Sequence, residues 1–527
     1  MRRRNFLKVG AAGAATAIAG SGTNQASEDS WRKNENPAAP QHPARFLGDP
    51  EGQRRRLMNI AECERGIDRC LRRHLISDYI PGQAVYNLGE YPAKKPWEID
   101  ERDEKLLSDL ASSGIGLVQL HEDWSDSLRI FGADKFNPPN KTVFKRFVRM
   151  VHDRGMKVIV YASTGFFDRR DPDFRREWAR KPDLVEIYWQ YAWCSPDSPG
   201  WRAYVLPRIF RIMDEYGVDG LYDDLGYMPL YRGAPERRTG WMDWDKRTGD
   251  FVVAKIGDDG PTADEVMAFA ESPKSDGALQ DLLGIVYNEV KRRGGIFKIH
   301  QGANSQPQTD QKVYDYLWVG ESVRNIDQMR EAVKDHSPYV VPCLDMSRAK
   351  IEREDELYLS SIPYMQFPLL LAGKPFTGER GTIDGIRYPP PEKCFWTRHT
   401  RQIWKFYQEH PEGPYSYGWW DSCPGRPEAY PTYFRWLDLY QPMVEAGTRA
   451  YIDMAESDFF NDRLPEGVVA SAFANRNLYL VLANFTGQSV RVETRTSWRS
   501  RTSSDSPLST SWEIRPRSLE LLEKPWG

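Results

Sequence analysis

Short apolar runs ending in polar residues recur between residues 83 and 376, and helical patterns separate most of them. A strand of that length cannot bury its own faces, and strands that alternate with helices are joined in parallel, with the helices packed outside. The runs are Gln83–Asn87, Ile115–Leu120, Lys157–Tyr161, Val218–Asp224, Gly295–Ile299, Leu317–Glu321 and Tyr339–Leu344, with an eighth drawn from Leu369–Ala372 and Lys374–Phe376. Helical periodicity falls between them at Asp100–Ser113, Thr142–Arg154, Trp201–Tyr216, Ala278–Lys291 and Ile326–Lys334. Asp100 suits an N-cap and Gly217 a C-cap. The pattern predicts an α/β chain built on a (β/α)8 TIM barrel. A doubly wound sheet is the alternative, but it requires a Gly-rich phosphate loop after an early strand, and none is present.

The flanks differ in character. Arg3-Arg4-Asn5-Phe6-Leu7-Lys8 fits a twin-arginine export signal, and the apolar run Val9–Gly20 is too short to span a membrane. Ala19 or Ala26 would end a signal peptide over residues 1–26; an uncleaved N-terminal anchor is the other reading. A soluble bacterial protein in the periplasm or secreted is the expectation. Residues 27–75 read as a polar linker followed by a helix over 51–74, and residues 76–445 as the barrel with helical extensions at 395–409 and 432–445. From about Arg449 the chain alternates with period two. Val468–Ala474, Leu478–Phe485, Ser489–Thr494 and Thr510–Leu522 predict a small antiparallel β-sandwich over 446–527.

In a barrel of this kind chemistry sits at the C-terminal ends of the strands. The ends here carry His121, Glu122, Asp123 and Trp124; Asp223 and Asp224; His300 and Gln301; Glu321; and Asp345. In Val218-Asp219-Gly220-Leu221-Tyr222-Asp223-Asp224, alternation puts Gly220, Tyr222 and Asp224 on one face and Asp219, Leu221 and Asp223 on the other. Asp224 is expected to point into the barrel mouth as a catalytic carboxylate. Carboxyl groups from several strand ends suit hydrolysis of a glycosidic bond, in which one protonates the leaving oxygen and the other attacks the sugar or activates water. Aromatic residues make up 13% of the chain, with 18 Trp. Trp124, Trp193 and Trp318 are either core or platforms for a sugar ring. His121 and His300 either sit bonded in the core or hold sugar hydroxyls. Asp223 and Asp224 are alternatively turn caps, Glu321 a partner of Arg324 or Arg348, Asp345 a partner of Arg348, and Glu122 and Asp123 loop caps.

The segment Asp219-Gly220-Leu221-Tyr222-Asp223-Asp224 resembles the D-G-x-x-x-D of the fourth barrel strand in retaining glycoside hydrolases of the α-amylase and α-galactosidase/α-glucosidase kinds. The resemblance implies a barrel with a trailing β-sandwich, a carbohydrate substrate and no cofactor. It puts the nucleophile on Asp224 and the acid/base on Glu321, in Trp318-Val319-Gly320-Glu321, where the usual residue is Asp. Tyr222 stands where those families carry Arg or Lys, and His300 and Gln301 occupy the region of the amylase fifth-strand Glu. The remaining named residues, Tyr222 and Asp223 included, would contact substrate.

Composition narrows the alternatives. A formal net charge of −3 gives no support for nucleic acid or an anionic membrane as partner. The six Cys, at 63, 70, 194, 343, 394 and 423, form no CxxC and no zinc spacing, and the eight His contain no HxH pair of the kind metal-dependent barrel hydrolases use. No metal is expected. A non-catalytic carbohydrate-binding protein on the same barrel is the remaining alternative.

Overall fold

The structure is a computed structural model. It describes residues 72–76, 79–89, 97–121, 124–125, 136–168, 171–179, 191–224, 241–245, 250–255, 273–300, 313–319, 341–344, 354–374, 430–444, 449–454, 459–474, 477–494 and 511–525.

Eight parallel strands close into a barrel. They are β1 (Gln83–Asn87), β2 (Leu117–Leu120), β3 (Lys157–Ala162), β4 (Gly220–Asp224), β5 (Ile296–His300), β6 (Tyr316–Val319), β7 (Val341–Leu344) and β8, formed by Phe367–Pro368 and Leu370–Gly373. Each pairs with the next in chain order. Closure rests on β8. Its first half bonds to β7 and its second half to β1, with Leu369 between, so one segment joins both ends of the sheet. All eight strands coincide with predicted runs to within a few residues.

Helices α1 (Glu101–Ser112), α2 (Lys141–His152), α3 (Pro199–Tyr216) and α4 (Pro273–Arg292) follow β1 to β4 in turn. Their ends are set by side chains. Asp100 accepts from the amides of Arg102 and Asp103, and Asp103 returns a bond to the Asp100 amide. Asn140 caps α2, Ser198 caps α3, and Gly217, at φ 72°, ends α3 in the left-handed region. Strand residues pointing outward, such as Val158, Val160 and Leu221, are buried together with Phe144, Phe147, Val205 and Ile209 of the helices. Each such side chain contributes about 1.5–3 kcal/mol by leaving water. Asp103 is buried as well, because Tyr86 donates to it at 2.6 Å and Lys374 pairs with it at 2.7 Å.

The start of β4 is fixed at the N-terminal end of the barrel, away from the mouth. Asp219 accepts from the Val158 amide at 2.8 Å and lies 2.7 Å from His152 Nε2. Gly220 is required there, since a Cβ would lie 1.9 Å from the Ile296 carbonyl oxygen on β5. Helix α5 (Tyr430–Val444) bears on the same end, where the Tyr433 hydroxyl bonds to both the amide and the carbonyl of Gln83 at the start of β1.

The trailing domain contains strands β9 (Arg449–Asp453), β10 (Val468–Ala474), β11 (Asn477–Asn484), β12 (Val490–Glu493), β13 (Ser511–Ile514) and β14 (Ser518–Pro525). Its larger sheet is antiparallel, with order 72–76, β9, β10, β11, β14. Alternation divides its residues between two cores. Val469, Phe473, Tyr479 and Val481 join the barrel core, while Ala470, Leu480 and Leu482 are buried with Val492 and Ile514 of the β12–β13 ribbon. The predicted sandwich is therefore a five-stranded sheet covered by a two-stranded ribbon.

Two predictions change. Residues 72–74, read as the end of a helix, belong to strand Arg72–Ile76, which pairs with β9. Backbone partners supplied from the far end of the chain outweigh a weak local propensity. The predicted run 510–522 is two strands, because Arg517, at φ 48°, turns the chain from β13, which pairs with β12, into β14, which pairs with β11. The predicted helices at 326–334 and 395–409 lie outside the described residues. Among the described residues, no helix is long and apolar enough to cross a membrane.

Candidate active site

The inward face of β4 builds the mouth of the barrel. Tyr222 is 1% exposed, and its ring lies 5.0 Å from Trp318 of β6, 5.9 Å from Tyr161 of β3, 6.0 Å from His300 of β5 and 6.3 Å from His121 after β2. Strand register accounts for the convergence, since Tyr161 pairs with Tyr222, Asp224 with His300, and His300 with Trp318. Rings from neighbouring strands thus form a buried aromatic floor. One layer further in, Lys298 is wholly buried, with Nζ 3.2 Å from Gln83 Oε1 and 5.4 Å from the centre of the Trp318 ring.

Asp224 stands above this floor. Its side chain is 19% exposed, it accepts from the Tyr161 hydroxyl at 3.0 Å, and its Oδ1 lies 3.4 Å from His300 Nδ1. Ser163 Oγ donates to the Asp224 carbonyl at 2.7 Å and in turn accepts from the amides of Gly165 and Phe166, tying the backbone at the acid to the loop after β3. A partly exposed carboxylate held by a phenol and an imidazole is fixed in orientation. It can accept a proton or attack an electrophilic carbon.

Asp223 does not face the mouth of the barrel. It points out of the barrel, is 1% exposed, and accepts from the Thr164 amide and hydroxyl, each at 2.8 Å. Loss of hydration on burial pushes its pKa up to about 7, against the pull of the two Thr164 bonds and with a smaller push from the charge of Asp224. Its role is to clamp the loop after β3. Trp124 is likewise no platform. It is 0% exposed, donates from Nε1 to the Tyr161 carbonyl at 2.7 Å, and packs on Phe144 and Tyr216 among the helices.

The other predicted residues divide in three groups. His121, Tyr222, His300 and Trp318 gather around Asp224 as the floor and its edge. Glu122, Asp123, Gln301, Glu321 and Asp345 lie outside the described residues. Trp193 is described only in its backbone, which pairs with Phe166 in the ribbon that follows β3. Among the described residues, no three His, Cys, Asp or Glu side chains stand close enough to hold a metal ion.

Tyr161, Ser163, Thr164, Lys298 and Gln119 are site residues that strand-end reading passed over. A signal for two of them exists. Lys298 and Gln119 are polar residues inside otherwise apolar strands, at positions that alternate with His300 and His121.

No protein-family profile matches the chain, and no curated protein does. Among solved structures the chain overlays a noncanonic maltogenic α-amylase, AmyB, from Thermotoga neapolitana, with 11% identity and a TM-score of 0.45, covering 84% of this chain and 99% of that one. Isomaltulose synthase PalI from Klebsiella sp. LX3 gives 11% and 0.46, covering 84% and 98%. The GH36 α-galactosidase AgaA from Geobacillus stearothermophilus gives 9% and 0.46, covering 84% and 55%. At such identities and overlaps, what the site does has to be read from its own residues.

Proposed function

We infer that the chain is a glycoside hydrolase that cleaves O-glycosidic bonds of an oligo- or polysaccharide, with Asp224 as its catalytic carboxylate. One observation carries this reading. A partly exposed carboxylate stands at the C-terminal end of a barrel strand, held by Tyr161 and His300 over a floor of buried rings. The flat apolar face of a sugar ring packs on such a floor, and the acid above it meets the anomeric carbon or a water beside it. Glu321 is the proton donor to the leaving oxygen in this scheme; it follows β6 by two residues in the chain, and β6 ends at the same rim. The Arg3-Arg4 segment supports export, so that the substrate is met outside the cytoplasm. A screen of aryl glycosides and of bacterial, algal and plant polysaccharides, with Asp224→Asn as control, tests the reading. Release of sugar by the parent protein alone supports it, and turnover by neither protein on any substrate counts against it.

Tyr161 is a positioning residue in this scheme. Tyr161→Phe removes a hydrogen bond to a charged acceptor at the mouth, and kcat is expected to fall about tenfold with KM little changed. An unaltered kcat would show that the phenol bears only on packing.

A further inference from the structure

Beneath Asp224 the barrel interior holds polar atoms that bond to nothing. Gln119 shares the inward face of β2 with His121, is 1% exposed, and leaves both Oε1 and Nε2 without a partner. Trp318 is 1% exposed, and its Nε1 has no acceptor. A buried amide left unbonded costs free energy, and Leu would fill the same space without that cost. These atoms lie among the rings of the floor, in the interior that the mouth opens onto. They comprise two kinds of donor, an amide and an indole N–H, and one amide acceptor, which together suit hydroxyl groups rather than a charged group.

We propose that Gln119 and Trp318 bind hydroxyl groups of the hexopyranose ring seated at Asp224, so that the floor selects a neutral, fully hydroxylated sugar. The ring's hydroxyls donate to Gln119 Oε1 and accept from Gln119 Nε2 and Trp318 Nε1. Binding then satisfies groups that folding leaves bare, and a sugar lacking one of those hydroxyls is rejected because the protein group opposite stays unbonded. The ligand class rests on the glycosidase reading, whereas the unbonded atoms do not.

The test uses full-length Asp224→Asn protein, with D-glucose, D-galactose and D-mannose and their monodeoxy derivatives as calorimetric probes. At least one hexose is expected to bind, and at least one of its deoxy forms to bind tenfold or more weakly. Gln119→Leu in the same background is expected to weaken the parent hexose at least tenfold and to abolish that particular discrimination, with the melting temperature unchanged or raised. Trp318→Phe is expected to do the same for a different hydroxyl. The proposal is overturned if no hexose binds, or if every deoxy sugar loses affinity equally with and without Gln119. A lowered melting temperature with unaltered sugar binding also overturns it, because the amide would then serve a buried water. Catalysis is scored separately on the protein with Asp224 intact. Turnover without the Gln119 effect sinks this inference alone, and the Gln119 effect without turnover sinks the hydrolase reading alone.

Discussion

Asp224→Asn is expected to lower kcat/KM for any glycoside the protein cleaves by about a thousandfold or more, while stability changes by no more than about 1 kcal/mol. Asparagine keeps the shape of the side chain and an oxygen to accept from Tyr161, which donates at 3.0 Å, so the floor and the loop after β3 have no reason to move. It cannot attack an anomeric carbon or take a proton from water. A structural cap would behave in the opposite way, losing stability and leaving rate untouched. Reducing-sugar release and thermal melting on the same preparation separate the two. Full activity in the Asn protein would remove Asp224 from the mechanism.

Its neighbour is expected to show the reverse pattern. Asp223→Ala leaves the Thr164 amide and hydroxyl without their acceptor in a site that is 1% exposed, at a cost of about 3 kcal/mol. Melting should fall by several degrees, and activity should suffer only as far as the loop after β3 loosens. Asp223→Asn isolates the charge. An unfolded aspartate loses its proton around 3.8, whereas the buried carboxyl of Asp223 keeps its own up to about 7. Between those values the folded chain binds a proton that the unfolded chain has released. The stability this group supplies is complete below about pH 3.8 and is lost as pH rises through 7, at a slope of at most about 1.4 kcal/mol per pH unit. Asparagine has no such dependence. Raising the pH from about 5 to about 8 should therefore lower the melting temperature of the parent protein relative to Asp223→Asn. Parallel curves would mean that Asp223 is already ionised at the lower pH.

The contrast between these two adjacent acids is one the sequence contains, because strand alternation alone turns Asp223 and Asp224 to opposite faces of β4. Barrel closure is equally readable, since each of the eight strands is a run of apolar residues with its own flanking helix or turn. What local pattern does not contain is the identity of long-range partners. Thr164 as the donor to Asp223, Tyr161 beside Asp224, and β9 as the partner of residues 72–76 all depend on which distant backbone arrives alongside. Trp124 illustrates the same limit. It follows His121 by three residues at a strand end, yet it turns outward to fill the space between Phe144 and Tyr216, where its volume is needed. Gln119 and Lys298 were open to a reading by parity. Their surroundings are apolar enough that the strands register as core, and only the burial of their polar atoms marks them out.

The central claim, that the carboxylate of Asp224 itself takes part in bond cleavage, is tested most directly by chemical rescue. Asp224→Gly removes the group and leaves a space that azide or formate can enter. The account predicts that this variant is inactive on aryl glycosides with good leaving groups, that either anion restores turnover in proportion to its concentration, and that azide yields a glycosyl azide. Asp224→Gly that cleaves the same glycosides at the parental rate without any added anion would contradict it.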